Sequence, residues 1–156
     1  MKEIQLTKGQ CAIIDDDDFE RVSKFRWYAQ WSEGMKAYRA CRSFNGQSIY
    51  LHRFIMDAPS GMVVDHINHD MLDNRKENLR LATHAENMRN RRATPKNTSG
   101  YKGVSWSSFY KVWKVQIQKD GKSQFIGCFI DPVEAAKAYD VKAKELFGEF
   151  AFLNFP

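Results

Sequence analysis

Residues 79–86 leave the backbone little choice. Leu79-Arg80-Leu81-Ala82 reads as a short strand and runs straight into Thr83-His84-Ala85-Glu86, a capping box. In such a box the threonine hydroxyl accepts from the open amide three residues on, and the glutamate reaches back to the threonine amide. A helix is therefore expected from about residue 84 to about Ala93, short of Pro95. Upstream, Pro59-Ser60-Gly61 is a turn and Met62-Val63-Val64-Asp65-His66 a short strand, followed by a polar loop rich in Asn and Asp. The order is strand, loop, strand, helix.

The flanking segments differ in character. In residues 1–57, Lys36-to-Phe44 and Gln47-to-Phe54 read as strands around Asn45-Gly46, a pair that tolerates the positive φ of a two-residue hairpin turn. Gln10–Ile14 is a short buried-type strand. Asp15–Asp18 read as a turn and helix start, since adjacent aspartates do not converge on one ion and carboxylates suit a helix N-terminus. Beyond the turn-like Pro95–Gly100, three strands are expected over Tyr101–Trp106, Trp113–Lys119 and Ser123–Phe129, with Asp120-Gly121 as a second hairpin turn. Asp131-Pro132-Val133-Glu134 opens a helix that should end at Gly148. The expectation is an α+β chain in three parts: a β-rich region at 1–57, a strand–strand–helix core at 58–94, and a three-stranded antiparallel sheet packed on one helix at 95–156.

Hydrophobic residues make up 43% and charged residues 28% of the chain, which excludes a mostly disordered protein. No apolar run approaches the ~20 residues of a membrane span. Cys11, Cys41 and Cys128 are too scattered for a disulfide framework or a CxxC zinc site. Met1–Gln5 does not begin a secretory leader, so a cytoplasmic protein is expected.

The net charge is +5, but its placement says more. Between Glu86 and Asp120 there is no acid, while the stretch holds Arg89, Arg91, Arg92, Lys96, Lys102, Lys111, Lys114 and Lys119. Tyr101, Trp106, Phe109, Tyr110 and Trp113 lie among them. Cations interleaved with planar side chains suit a phosphate backbone with sugar and base faces, so a nucleic acid is the expected partner.

Hydrolysing a phosphodiester needs a base to activate water and a cation at the leaving oxygen. Asp65 and His66 are neighbours at a strand end, so one can hold a metal while the other points at a nucleophile. Asn87, one turn into the helix, offers a second hard oxygen. Such ligands with open water positions suit Mg²⁺ or Mn²⁺. Asn78, just before the second strand, is placed to orient His66. His52 either approaches a phosphate or packs, and His69 and His84 read as solvent-facing or capping.

The middle segment resembles the HNH (ββα-metal) endonucleases, in particular their phage and intron homing branch. The resemblance runs through Leu51-His52-Arg53, Val64-Asp65-His66-Ile67-Asn68, Asn74-Arg75-Lys76-Glu77-Asn78-Leu79-Arg80 and Thr83-His84-Ala85-Glu86-Asn87-Met88-Arg89-Asn90. It implies that Asp65 and Asn87 are ligands of one divalent ion, that His66 is the general base, and that Asn78 is the middle asparagine that orients it. It also implies a setting in the host cell of a phage or mobile element, or in a bacterial cytosol. The CxxC zinc pairs of many relatives are absent, so the small core should lean on the N-terminal strands. The alternative reading is a sequence-specific DNA-binding regulator with an inactive nuclease core.

The last sixty residues resemble the plant apetala/ethylene-response-factor DNA-binding domain. Tyr101-Lys102-Gly103-Val104, Trp113–Ile117, Ile126–Phe129, Glu134–Asp140 and the closing Leu153-Asn154-Phe155-Pro156 carry that resemblance. It implies a sheet that enters the major groove, braced by a helix. The family's strand arginines are replaced by Ser105 and Gln118, and its strand glutamate by Gln116, so base preference does not carry over. The candidate DNA contacts here are Lys102, Trp106, Lys111, Trp113, Lys114, Gln116, Gln118 and Gln124, with Arg89, Arg91 and Arg92 preceding them.

Overall fold

The computed structural model describes residues 1–94 and 97–156. Pro95 and Lys96, part of the expected turn segment, lie outside the described residues. The chain divides into two units, Met1–Asn87 and Met88–Pro156.

The first unit opens with an antiparallel pair, β1 (Lys2–Gln5) and β2 (Cys11–Ile14), and the acidic-headed helix α1 (Asp16–Ser23). A second sheet follows, in the order β3 (Tyr28–Ser32), β4 (Ala37–Phe44), β5 (Gln47–Tyr50). Asn45 at φ 48° and Gly46 at φ 74° make the β4–β5 turn, in the left-handed region this turn requires. The strand expected over Gln47–Phe54 stops at Tyr50, and α2 (Leu51–Ile55) takes its place. Leu51 and Ile55 are both buried. Residues four apart share a face in a strand and in a helix alike, so periodicity does not separate the two. The Arg53 guanidinium fixes the outcome: it donates to the carbonyls of Met62 at 2.7 Å and of Ala58 and Pro59 at 3.1 Å, stapling the chain that leads into the next strand.

That strand is β6 (Val63–His66), paired antiparallel with β7 (Leu79–Ala82), and α3 (His84–Arg89) follows. Ile4, Ala12, Ile14, Val22, Trp27, Ala40, Leu51, Ile55, Val64 and Leu79 form one buried cluster. Residues 1–57 and β6–β7 therefore share a core instead of forming two. A two-strand hairpin and one short helix bury too little apolar surface alone, and the N-terminal strands supply the rest. α3 is shorter than expected. The Arg89 carbonyl accepts from Lys102 Nζ, which closes the helix before Ala93.

The second unit is a three-stranded antiparallel sheet in the order β10 (Lys122–Phe129), β9 (Val112–Lys119), β8 (Val104–Ser107), with α4 (Pro132–Phe147) packed on it. Asp131 caps α4, its Oδ1 accepting from Val133 N at 2.6 Å and Glu134 N at 3.1 Å. Ala135, Ala136, Tyr139, Ala143 and Phe147 bury one helix face against Val104, Val115 and Ile117. Gly103, at φ 78°, allows the closest approach: a Cβ there would lie 2.0 Å from the Tyr139 ring. This is why the first strand of the sheet begins at Val104 and not at Tyr101. Among the described residues, no helix is long and apolar enough to cross a membrane.

Candidate functional site

Antiparallel register places Asp65 opposite Arg80 and His66 opposite Leu79. Directly paired residues project to the same side of a sheet, so Arg80 meets the Asp65 carboxylate. Its Nε donates to Asp65 Oδ2 at 3.0 Å and its Nη2 to the same oxygen at 2.7 Å. Asp65 and His66 are both buried.

The twelve-residue connection between the strands is held by its own polar side chains and by β2. Asn68 Oδ1 accepts from Asp70 N at 2.8 Å, and Asp70 Oδ1 from Leu72 N at 2.9 Å. Ile13 N donates to Leu72 O and Asn74 N to Ile13 O, both at 2.8 Å, so the loop runs beside β2. Asp15 Oδ2 accepts from Lys76 N at 2.8 Å, and buried Asp18 pairs with Lys76 Nζ at 2.9 Å and Arg21 Nε at 3.0 Å. The aspartate run thus serves as helix head and loop anchor.

Asn78 is buried at the end of the loop. Its Oδ1 accepts from Asn68 N at 2.9 Å and its Nδ2 donates to the Asp73 carbonyl at 2.8 Å. Both ends of the carboxamide bond to the loop, and through them Asn78 fixes the chain that follows His66. Asp73 is the loop's hub: Arg75 Nε and Nη2 reach its two oxygens at 2.8 and 2.7 Å, and Asn68 Nδ2 adds a third bond at 2.9 Å. The Arg75 guanidinium holds the Asp73 carboxyl below the usual carboxylate range.

Asn74 is fully buried in the loop that follows His66, its Nδ2 donating to the Leu72 carbonyl at 2.9 Å. Burial pushes the His66 pKa down, opposed by the Asn74 contact and by the charges of Asp65, Asp70 and Asp73. The result is an imidazole that is neutral near pH 7, the form that accepts a proton. His52, on α2, stands edge-on to His66 with ring centroids 5.1 Å apart, and stacks on Tyr50 at 5.6 Å with planes 3° apart. The Arg39 guanidinium covers the Tyr50 ring at 4.6 Å. Burial first, then the charges on His66, Arg39 and Arg53, push the His52 pKa down to about 3.

Asn87 lies half-buried on α3, four residues past the cap. The capping box forms as expected: Thr83 N donates to Glu86 Oε2 at 2.8 Å, and Glu86 N to Thr83 Oγ1 at 3.2 Å. Among the described residues no group of three His, Cys, Asp or Glu side chains could hold an ion. The donors expected from the sequence, Asp65 and Asn87, are one carboxylate and one carboxamide. Hard oxygens in that number suit a water-rich Mg²⁺ or Mn²⁺ and do not suit a closed zinc site.

In the second unit, cross-strand pairing sorts the expected DNA contacts by face. Ser105 pairs with Lys114, Gln116 with Phe125 and Lys114 with Cys128. With Gln118, these residues share the side of the sheet away from buried Val115 and Ile117. Trp106 and Trp113 pair with each other and alternate with that set, which puts them on the helix side. Trp113 packs against the core there, and Trp106 tilts over it with rings 5.0 Å apart. Gln124 pairs with Ile117 and belongs to the same side. Lys111 occupies the β8–β9 turn at φ 57°. Arg91 and Arg92 are exposed. Arg89 and Lys102 are engaged internally: Arg89 pairs with Asp120 at 3.5 Å and covers the Phe147 ring at 4.9 Å. Lys102 is half-buried over Phe152, and burial pushes its pKa down to about 8.

His52, read in the sequence as approaching a phosphate or packing, lies against Tyr50 and His66, while Arg80, Asp73 and Asn74 carry much of this geometry and have no assigned role in the sequence. Only Arg80 leaves a trace there, since counting back from the turn pairs it with Asp65 once the hairpin register is known.

Residues 50–89 match the family described as HNH endonuclease. Over 153 residues the chain is 35% identical to the Uncharacterized HNH endonuclease L560 of Acanthamoeba polyphaga mimivirus, covering 94% of this chain and 76% of that protein. It is 36% identical over 93 residues to Protein 3.8 of Escherichia phage T7, covering 60% of this chain and 76% of that protein.

Proposed function

The chain belongs to the HNH endonuclease family, and we propose that it is a DNA endonuclease of the homing kind that uses His66 as general base. The observation that carries this reading is a buried imidazole beside a buried carboxylate at the end of β6, with the following loop pinned by Asn78 and Asp73.

Enzymes of this family generally use a divalent ion. Asp65 and Asn87 would hold it, and it would supply positive charge to the scissile phosphate and the departing 3′ oxygen. His66 takes the proton of the attacking water. The edge of His52 packs on the imidazole and limits its rotation, so little reorganisation is needed when that proton moves. Asn78 and Asp73 keep the loop closed next to the reacting phosphate.

The partner is double-stranded DNA. The outer face of the second unit, with Lys114, Gln116 and Gln118, is the reading surface, in the manner of an apetala/ethylene-response-factor sheet. A two- or three-stranded ribbon of this width fits the major groove, and glutamine and lysine have matching partners on adenine and guanine edges. Exposed Arg91, Arg92 and Lys111 add phosphate contacts that are independent of sequence. Supercoiled plasmid incubated with the protein and Mg²⁺ tests the activity. Nicked or linear product is expected. Binding with no product at any Mg²⁺ or Mn²⁺ concentration would instead mean a regulator with a silent core.

A further inference from the structure

The pair between Arg80 and Asp65 goes beyond what a hairpin needs for pairing. Both side chains are almost wholly removed from water, at 10% and 7% exposure. A carboxylate that deep needs a positive partner, and the register supplies one directly opposite. Two guanidinium donors converge on one oxygen, Oδ2, at 3.0 and 2.7 Å.

We propose that Arg80 is the resident counter-ion of Asp65 and competes there with the divalent cation, so that Arg80 sets how tightly the chain holds its metal. This rests on the reading of Asp65 as a ligand. The reasoning is electrostatic. A carboxylate already neutralised by a guanidinium attracts a second cation less, and the guanidinium repels that cation across a short distance in a water-poor site. For charges of +2 and +1 about 5 Å apart, even a solvent-like dielectric weakens binding by about tenfold. In return, the β6–β7 pair keeps its shape without metal, because Asp65 is never a bare buried charge. The site is then stable when empty and holds its ion loosely.

The test measures Mn²⁺ binding to the full chain by the loss of the free-ion electron paramagnetic resonance signal, with no DNA present. Arg80→Gln should bind Mn²⁺ about tenfold more tightly than the wild type. Asp65→Asn should lose the site, and adding Arg80→Gln to it should change nothing further. A folded Arg80→Gln protein with unchanged or weaker affinity, beside an Asp65→Asn protein that has lost binding, overturns the role of Arg80 and leaves the ligand reading intact. Wild-type binding by Asp65→Asn overturns both. Should Arg80→Gln not fold, the wild type itself decides. The Nε–Hε resonance of Arg80, assigned by its absence in Arg80→Lys, should shift or broaden on titration with Mg²⁺. A resonance that stays in place to saturation contradicts the proposal.

Discussion

The imidazole rings of His52 and His66 meet edge to face, 5.1 Å between centroids and 86° between planes. One ring sits on α2 and the other on β6, fourteen residues apart in sequence. Tyr50 and Arg39 extend the stack away from His66, so the far side of His52 is walled by an aromatic face and a cation. Two histidines this close inside a core tolerate little added charge, and that has a consequence for stability.

Folding should depend on His52 below neutral pH. In the folded chain its pKa is pushed from 6.5 down to about 3, so the ring stays neutral there while the unfolded chain takes up a proton below pH 6.5. The contribution is complete above that pH and is lost as pH falls from 6.5 towards 3. The slope is at most about 1.4 kcal/mol per pH unit, and what solvent reaches of the partly buried ring lowers it. Denaturant midpoints at pH 7.5 and 5 for the wild type and His52→Phe check this. The wild type should lose up to about 2 kcal/mol more than the variant over that range. Equal losses would contradict it.

Gly103→Ala should damage the second unit. The new Cβ meets Tyr139 at 2.0–2.2 Å and the Gln116 carbonyl at 2.9 Å, on a backbone at φ 78°. Strain and overpacking together predict a loss of about 2–4 kcal/mol. Thermal unfolding should show a fall of several degrees, and an unchanged midpoint would contradict the packing of α4 on the sheet.

The cations of the second unit should separate by role in a salt titration of DNA affinity. Lys114 lies on the outer face, whereas Lys102 is turned inward onto the Arg89 carbonyl. Lys114→Gln should flatten the plot of log K against log [salt] by about 0.9, the value for one lost phosphate contact. Lys102→Met should leave the slope as it is and lower thermal stability instead. Equal slope changes in the two variants would contradict the assignment of faces.

What the sequence made legible is what neighbouring residues decide among themselves. Asn45-Gly46, the Thr83–Glu86 box and the Asp131-Pro132 helix start each carry their own chemistry, and all three form as read. β1 and β3 carried no such signal: they are only four and five residues long. α2 could not be told from a strand, because Leu51 and Ile55 share a face in either form. The alternation of the C-terminal strands shows which residues travel together, but not which side α4 covers, so Trp113 stands among the expected DNA contacts although it packs against the core. The motif sets Asn78 beside His66, but does not show what holds its carboxamide. Its partners are set by the loop's closure on β2, some sixty residues earlier in the chain, which no local pattern shows.

The assignment of His66 as base is tested most directly by cleavage of supercoiled plasmid in Mg²⁺, run for the wild type and His66→Ala with DNA affinity measured alongside. A general base acts on the transition state and adds little to binding. The variant should therefore lose at least about a hundredfold in cleavage rate while its affinity stays within a few-fold. Cleavage at the wild-type rate by a folded His66→Ala protein would contradict the account.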